Sequence, residues 1–223
     1  MVSIVRILAA AGAAVALAGC ATAPAGPAVD AKCRVGRVVE DNAAGRPVPM
    51  DELGGLGNPP LVLMATTEIE AVAECLAPAL DAAIARSADA TIRTTRGWVP
   101  ASRAYMASEH GMFLQVYANA AGAEYLKYEK GARLPQGAAI LKRSFRVAAD
   151  GSSAAGPVFV MERMAPGYDA ATNDWRFAVT APDGALVGES GGRDAAKVAF
   201  CAGCHVSARV QDFLFFVPPR YRN

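Results

Sequence analysis

The second half of the chain alternates apolar and polar residues with the period of a β-strand. Glycine, proline and aspartate separate the alternating runs, which is the pattern of short strands joined by turns. We predict strands over residues 113–117, 138–147, 157–161, 175–180 and 185–187. The last two flank the sequence Pro182-Asp183-Gly184, which favours a tight turn, so we expect them to pair as a hairpin. Together these runs predict an antiparallel sheet.

Residues 68–86 instead repeat apolar positions every three or four residues, which predicts a helix. Its apolar positions are Ile69, Val72, Ala73, Leu76, Leu80 and Ile84. We expect Thr66 or Thr67 to cap this helix and Pro78 to kink it. A second, shorter helix is predicted over residues 121–130. The fold class that follows is α+β, with a mainly antiparallel β-sheet and a few flanking helices.

The first residues follow a third pattern, that of an export signal. Arg6 precedes an apolar run over residues 7–17, which is too short to span a bilayer as a stable helix. The run ends in Leu17-Ala18-Gly19-Cys20, which resembles a bacterial lipobox, where the cysteine thiol is acylated and becomes the new N-terminus. An ordinary secretory peptide, with Cys20 incidental, is the alternative. We therefore expect a periplasmic protein that is anchored to the bacterial membrane through a lipid on Cys20.

These patterns divide the 223 residues into four segments. A lipoprotein signal peptide covers residues 1–19, a flexible tether rich in Ala, Pro and Gly covers 20–32, an extension of unassigned role covers 33–95, and the main domain covers 96–223. A composition of 53% hydrophobic and 19% charged residues predicts a globular protein. The 22 basic side chains nearly balance the 21 acidic ones, so the chain lacks the basic excess of a nucleic-acid binder. We exclude nucleic acid as a partner.

The chain has five cysteines, and their positions predict three different uses. Cys20 is assigned to the lipid anchor. Cys33 and Cys75 lie in the extension, and in an exported protein we expect them to form a disulfide, with two free buried thiols as the alternative. The remaining two belong to a motif near the end of the sequence.

That motif, Cys201-Ala202-Gly203-Cys204-His205, is typical of covalent haem attachment. Two thiols at this spacing add across the two vinyl groups of haem, and the adjacent imidazole becomes an axial ligand of the iron. We therefore predict one covalent haem c, held by Cys201 and Cys204, with His205 as the metal ligand. A thioredoxin-like redox pair would follow a βαβ pattern, which is not found here. Half a zinc site would need two more ligands, and only His110 is left among the histidines.

The position of the motif favours an iron with an open coordination site. No methionine follows His205 in this sequence, so the common electron-transfer arrangement with a later methionine ligand is disfavoured. The helical-bundle cytochromes c′ also carry a late motif, but the preceding hundred residues are predicted as strands, which a four-helix bundle does not accommodate. An open iron suits ligand binding or catalysis. The alternative is His110 as a sixth ligand, which would make the protein a simple electron-transfer cytochrome c.

Several further sequence features accompany the haem motif from Gly97 onward. They are His110-Gly111, Val116-Tyr117-Ala118-Asn119, Leu134-Pro135-Gln136-Gly137-Ala138 leading into Ile140-Leu141-Lys142, Gly167-Tyr168-Asp169, Asn173-Asp174-Trp175 and Gln211-Asp212. In this order they resemble the cytochrome P-460 family, whose relatives include the β-sheet cytochromes c′-beta. The resemblance implies a β-rich homodimer with a high-spin haem c. It further implies either hydroxylamine oxidation, with nitric oxide and nitrous oxide as products, or nitric oxide binding, as in the c′-beta branch.

The resemblance also assigns roles to one lysine and one glutamate. In the P-460 branch a lysine after the Pro-x-Gly turn is bonded to the haem macrocycle, and Lys142 matches that position. Its strand face carries Ala138 and Ile140, and an inward lysine is costly unless something compensates it. A lysine that snorkels at a sheet edge is the alternative. Glu189 matches the catalytic glutamate that accepts protons from the substrate, with a solvated loop carboxylate as the alternative.

The leading hypothesis is therefore a hydroxylamine-oxidising haem enzyme that passes electrons to another cytochrome, with Glu189 and Lys142 as its catalytic residues. The alternatives are nitric oxide capture and simple electron transfer. Weaker expectations concern side chains near the haem. Met161 and Met164 are expected to fill the core, residues 213–216 to pack beside the haem, and Arg209 to approach a haem propionate.

Overall fold

The structure is a computed structural model that describes residues 33–35, 39–41, 61–107, 110, 112–128, 131, 133–148 and 150–223. Nine strands occur in this part of the chain: β1 (Val39–Asp41), β2 (Leu61–Leu63), β3 (Val99–Pro100), β4 (Tyr105–Ala107), β5 (Met112–Ala118), β6 (Ala139–Val147), β7 (Ser153–Arg163), β8 (Trp175–Thr180) and β9 (Leu186–Glu189). Strands β3 to β9 form one antiparallel sheet in the order β3-β5-β6-β7-β8-β9, with β4 paired to β5. Strands β1 and β2 form a separate two-stranded sheet. The predicted α+β fold with a mainly antiparallel sheet is confirmed.

The α-helices of the described residues are α1 (Thr66–Cys75), α2 (Ala77–Arg86), α3 (Ala90–Arg93) and α4 (Ala199–His205). Short 3₁₀ helices cover Ala120–Lys127, Ala170–Thr172, Ala195–Val198, Val206–Gln211 and Pro219–Tyr221. Within the described ranges, no helix has the length and apolar character that crossing a bilayer requires.

The predicted helix over residues 68–86 is two helices. Leu76 separates α1 from α2, and Pro78 lies in the first turn of α2, where proline is tolerated because the amide it lacks would have no helical partner. The expected caps were wrong, since Ala65 is the N-cap residue and its amide donates to Oε2 of Glu68 at 2.8 Å. The second predicted helix is the 3₁₀ helix Ala120–Lys127, and residues 129 and 130 lie outside the described residues.

The large sheet buries different side chains on its two faces because strand residues alternate between them. One face carries Leu114, Val116, Ile140, Phe159, Met161, Phe177 and Val179, which form a core with the C-terminal residues Phe213, Leu214 and Val217. The opposite face carries Phe113, Leu141, Phe145, Val147, Val158, Val160 and Ala178. Helices α1 to α3 cover this second face with Ile69, Val72, Leu80 and Ile92, together with Leu76 between α1 and α2. The sheet is therefore the middle layer between the helices and the C-terminal segments.

A disulfide joins Cys33 to Cys75, the pair expected from the sequence. It ties the segment around Cys33 to the end of α1, and Cys33 itself is buried in the core beneath the helices. The predicted signal peptide, the lipid-bearing Cys20 and the tether lie outside the described residues.

Candidate haem-binding site

A cavity of about 390 Å³ lies between the sheet and the C-terminal segments. This volume falls within the range of pockets that bind small molecules and cofactors. Most of its wall is apolar, formed by Met106, Leu114, Ile140, Phe159, Met161, Phe177, Phe200, Phe215, Phe216 and Pro218 among others. Six ionisable residues also line the cavity: Tyr105, His110, Lys142, Cys201, Cys204 and His205. The cavity therefore brings together the whole haem motif, the predicted cross-linking lysine and the second histidine.

Helix α4 carries the haem motif into this cavity. Cys201 and Cys204 are three residues apart, so their side chains lie on the same side of the helix, and neither is in a disulfide. Cys201 is half-buried and Cys204 is exposed. Burial raises the pKa of the Cys201 thiol to about 12, and the charge of the nearby Lys142 opposes part of this rise. The two sulfur atoms are thus available as thiols beside an apolar chamber.

His205 is buried and its ring is held in one orientation. Nδ1 donates a hydrogen bond to the carbonyl of Phe213 at 2.7 Å, and a carbonyl accepts only, so the proton of the neutral ring is on Nδ1. The rings of Phe177 and Phe215 lie 5.3 and 5.0 Å from the imidazole. Burial and then the charge of Lys142 lower the pKa of His205 to about 4. The imidazole is therefore neutral near pH 7, with the lone pair of Nε2 free for a metal.

The carbonyl that orients His205 lies in a turn fixed by a buried carboxylate. Asp212 and Phe213 both have left-handed backbone conformations, with φ of 57° and 61°, which non-glycine residues adopt at a cost. The Asp212 side chain accepts hydrogen bonds from Arg163 at 2.8 and 3.0 Å, and its carbonyl accepts one from the indole of Trp175 at 2.9 Å. Further bonds to the same carboxylate come from the side-chain amide of Asn173 and the backbone amide of Leu134. These contacts stabilise the turn and so hold the carbonyl that positions the imidazole.

Lys142 reaches the cavity from the middle of β6. Its neighbour on β7 is Phe159, and Ile140 lies two residues before it on the same face. Lys142 lines the same cavity as His110 and His205, and its charge lowers the pKa of both rings. Arg143, on the other face, donates to Gln115 at 2.7 Å and to Asp81 at 2.8 Å. The predicted inward orientation of Lys142 thus agrees with the structure.

Glu189, the last residue of β9, lies outside the cavity. It pairs across the sheet with Ala178, whose side chain is in the core beneath α3, and its Oε2 accepts from Arg176 at 3.0 Å. Arg176 also binds the carboxylates of Asp89 at 2.8 Å and Glu162 at 2.9 Å. Glu189 does not line the cavity, because strand β9 directs it into this ion-pair cluster. Its predicted role as proton acceptor therefore finds no support in the arrangement of the described residues.

His110, the alternative sixth ligand, does line the cavity. Its ring stands edge-on against Phe159, with 5.0 Å between the centroids. Burial, Lys142 and His205, in that order, hold the pKa of His110 well below its usual value, so the ring is neutral near pH 7. The structure therefore places two neutral imidazoles in one cavity.

The remaining expectations concern the methionines, the C-terminal aromatic residues and Arg209. Met161 is buried in the core as expected, whereas Met164 is only partly buried. Phe215 and Phe216 line the cavity, and Arg209 does not. Phe213 contributes its backbone carbonyl, a role that no side-chain pattern reveals. Asp212 belongs to the Gln211-Asp212 pair of the family resemblance, and nothing else in the sequence around it indicates its role.

The residues of the cavity fit a covalently attached haem. The two thiols are placed for attachment, the free Nε2 of His205 suits an axial ligand whose other nitrogen has the usual carbonyl partner, and the aromatic wall suits a flat apolar ring. The zinc alternative needs more ligands near the cysteines, and in the described ranges no three His, Cys, Asp or Glu side chains cluster in that way.

The model of the family described as Cytochrome P460 matches residues 93–216, more than half of the chain. The matched segment contains all of the large sheet, helix α4 and every ionisable residue of the cavity. No curated protein matches the chain.

Proposed function

Because this chain belongs to the cytochrome P460 family, and the family implies a haem c cofactor, we propose that it oxidises hydroxylamine to nitrogen oxides at an open haem site in the cavity. The observation that supports this proposal most is that Lys142 lines the same cavity as Cys201, Cys204 and His205. We propose one haem, attached through both thiols. Electrons then pass to another cytochrome.

The residues of the cavity have separate tasks in this proposal. When bound, the haem supplies a redox-active iron that removes electrons from the substrate. His205 offers Nε2 to the metal, and the Phe213 carbonyl fixes the ring that carries it. The apolar wall keeps water away from the reacting molecule, which strengthens electrostatic interactions inside the cavity.

We propose further that the Nζ of Lys142 is bonded to a carbon of the haem macrocycle; this C–N bond would replace one N–H and one C–H bond, and its formation would consume a two-electron oxidant such as a peroxide. A bond to the ring would remove the positive charge that Lys142 brings into a mostly apolar cavity. The absorbance spectrum of the reduced protein tests this cross-link. We expect a ferrous Soret band shifted well to the red, and we expect the Lys142→Ala variant to lose that shift.

Arg143→Ala is the matched control, since Arg143 follows Lys142 on the same strand and lies on the opposite face of the sheet. It should keep the red-shifted band and the turnover of hydroxylamine, measured as hydroxylamine-dependent reduction of an added cytochrome. An ordinary high-spin ferrous spectrum in the wild-type protein would contradict the cross-link. A sharp low-spin spectrum would contradict the open site and favour simple electron transfer.

A second candidate function is nitric oxide binding without turnover. It is favoured by the cavity wall, which among the described residues carries no aspartate or glutamate. Oxidising hydroxylamine releases protons that need an acceptor, whereas binding a neutral diatomic molecule does not. Tight nitric oxide binding together with no reduction of the added cytochrome by hydroxylamine would select this function over the first.

We also propose that the protein is an exported lipoprotein of the periplasm and a homodimer. The lipobox-like sequence ending in Cys20 supports the anchor, and the family resemblance supports the dimer. Cys20→Ser should move the haem protein from the membrane fraction to the soluble periplasmic fraction. Sedimentation of the soluble variant then measures its oligomeric state.

A further inference from the structure

His110 occupies the sheet side of the cavity. It lies between β4 and β5, and its ring contacts Phe159 of β7 at 5.0 Å between centroids. Phe159 is in turn the cross-strand neighbour of Lys142. These three side chains line the chamber together with the thiols and imidazole of the haem motif, which come from α4. A small molecule bound in the chamber would therefore meet His110 and Lys142 as polar groups of the sheet side.

The hydrogen bonding of His110 is incomplete. Its Nδ1 is buried and has no hydrogen-bond partner in the structure as described. Buried polar atoms of native proteins are nearly always satisfied by protein, water or a ligand, so an orphaned imidazole nitrogen requires an explanation. A neutral imidazole has one N–H donor and one acceptor nitrogen, and rotating the ring by half a turn exchanges its nitrogens with its carbons. The ring is thus able to form a hydrogen bond with a molecule in the cavity.

The two histidines of the cavity differ in how their rings are held. A histidine that binds a metal nearly always donates its other ring N–H to a carbonyl, a carboxylate or water. His205 has that partner in the carbonyl of Phe213 at 2.7 Å, whereas Nδ1 of His110 has none. The first ring therefore has the oriented arrangement of an axial ligand, and the nitrogen of the second ring is left for a bound molecule.

We propose that His110 donates a hydrogen bond to the small molecule that binds the iron in this cavity. The proposal builds on the haem site proposed above and names a residue that recognises the bound molecule. Glu189, the polar group that the sequence predicts beside the bound molecule, is paired with Arg176 outside the cavity. The ligands that His110 recognises are small molecules with a nitrogen or oxygen acceptor atom.

Azide binding to the ferric haem protein tests the proposal, because azide offers acceptor nitrogens and its affinity is read from absorbance without turnover. We expect His110→Phe to weaken azide affinity about tenfold, the size expected for loss of one hydrogen bond to a charged acceptor. His110→Gln, which restores an N–H donor of similar reach, should recover most of the affinity. The protein should be high-spin without azide in all three forms.

Two outcomes would overturn the proposal. One is equal azide affinity in the wild-type, Phe and Gln proteins. The other is a wild-type protein that is low-spin and becomes high-spin in His110→Phe, which would make His110 an iron ligand. Should His110→Phe fail to incorporate haem, His110→Leu compared with His110→Gln decides by the same criterion. A protein that does not oxidise hydroxylamine still gives a result in this test, because azide affinity is measured without hydroxylamine.

Discussion

The buried carboxylate of Asp212 connects the haem motif to the sheet. Its side chain is only 1% exposed and binds Arg163, whose side chain is 9% exposed. The guanidinium also donates to the carbonyls of Leu134 and Asn173 and lies over the ring of Trp175. Since the next residue, Phe213, supplies the carbonyl that orients His205, the strength of this ion pair bears directly on the proposed iron ligand.

Asp212→Asn should destabilise the protein by about 3–5 kcal/mol, because it leaves the buried charge of Arg163 uncompensated. Asparagine tolerates the left-handed backbone at this position, so the change isolates the charge. Denaturant unfolding of the haem protein measures the difference. Glu124→Gln is the control, since Glu124 pairs with Lys127 at the surface and its removal should cost about 0.5 kcal/mol or less. Equal effects of the two changes would contradict this account.

His110 makes stability depend on pH. Its pKa is held well below the usual value in the folded protein, mainly by burial, and returns to about 6.5 on unfolding. The unfolded chain therefore binds more protons below about pH 6.5, so this contribution to stability is complete above that pH and is lost as pH falls. Unfolding free energies measured stepwise from about pH 7.5 downward should fall by up to about 1.4 kcal/mol per pH unit more in the wild type than in His110→Gln. Parallel curves would contradict the assignment.

At the scale of elements, strand β9 contacts the segment that leads into the haem helix. Gly188 lies on this strand, and a Cβ there would come within 2.5 Å of the carbonyl of Asp194. Residues Ala195–Val198 continue directly into α4, with Val198 buried against the sheet. The glycine thus allows the close approach that sets where α4 begins.

Gly188→Ala should therefore destabilise the protein by about 1–3 kcal/mol, since the backbone must shift to admit a methyl group. Gly203→Ala is the matched control within α4, where a Cβ meets nothing within 4 Å and alanine favours the helix. Unfolding midpoints of the two haem proteins give the comparison. A destabilising Gly203→Ala together with a neutral Gly188→Ala would refute the packing argument.

On the scale of the whole molecule, the large sheet separates the cavity from the layer of helices. Its cavity face meets α4 and the C-terminal segments, and its other face is sealed by α1 to α3. The disulfide between Cys33 and Cys75 ties the segment around Cys33 to this helical layer. The helices thus support the sheet from the side away from the proposed haem.

Leu80→Ala should lower the free energy of unfolding by about 2–5 kcal/mol, because Leu80 is completely buried in the core beneath the helices. The absorbance spectrum of the folded protein should stay unchanged, since that core lies on the face opposite the cavity. Val210→Ala serves as the control, because Val210 is 80% exposed and its change should cost no more than about 0.5 kcal/mol. A spectral change in Leu80→Ala would show that the two faces are coupled.

The strands and the haem motif were predictable from the sequence because both depend on near neighbours. Residues 175–180 alternate over a few positions, and the strand Trp175–Thr180 has those bounds. The predicted helix over residues 68–86 was less accurate, since the break at Leu76 depends on how Pro78 begins a new helix. The orientation of Lys142 was also predictable, because the strand period alone decides which face it occupies.

The amino-acid sequence by itself determined the chemistry of the site, two thiols and an imidazole in the order that haem attachment requires, together with the strand pattern around them. Only the tertiary structure decided which distant residues reach that site. It brings His110 into the cavity, directs Glu189 to Arg176, and places the Phe213 carbonyl on His205. The reason is physical: covalent chemistry and strand period act between neighbours in the chain, whereas these contacts depend on the register of the complete sheet and on the packing of the turn at Asp212 against it.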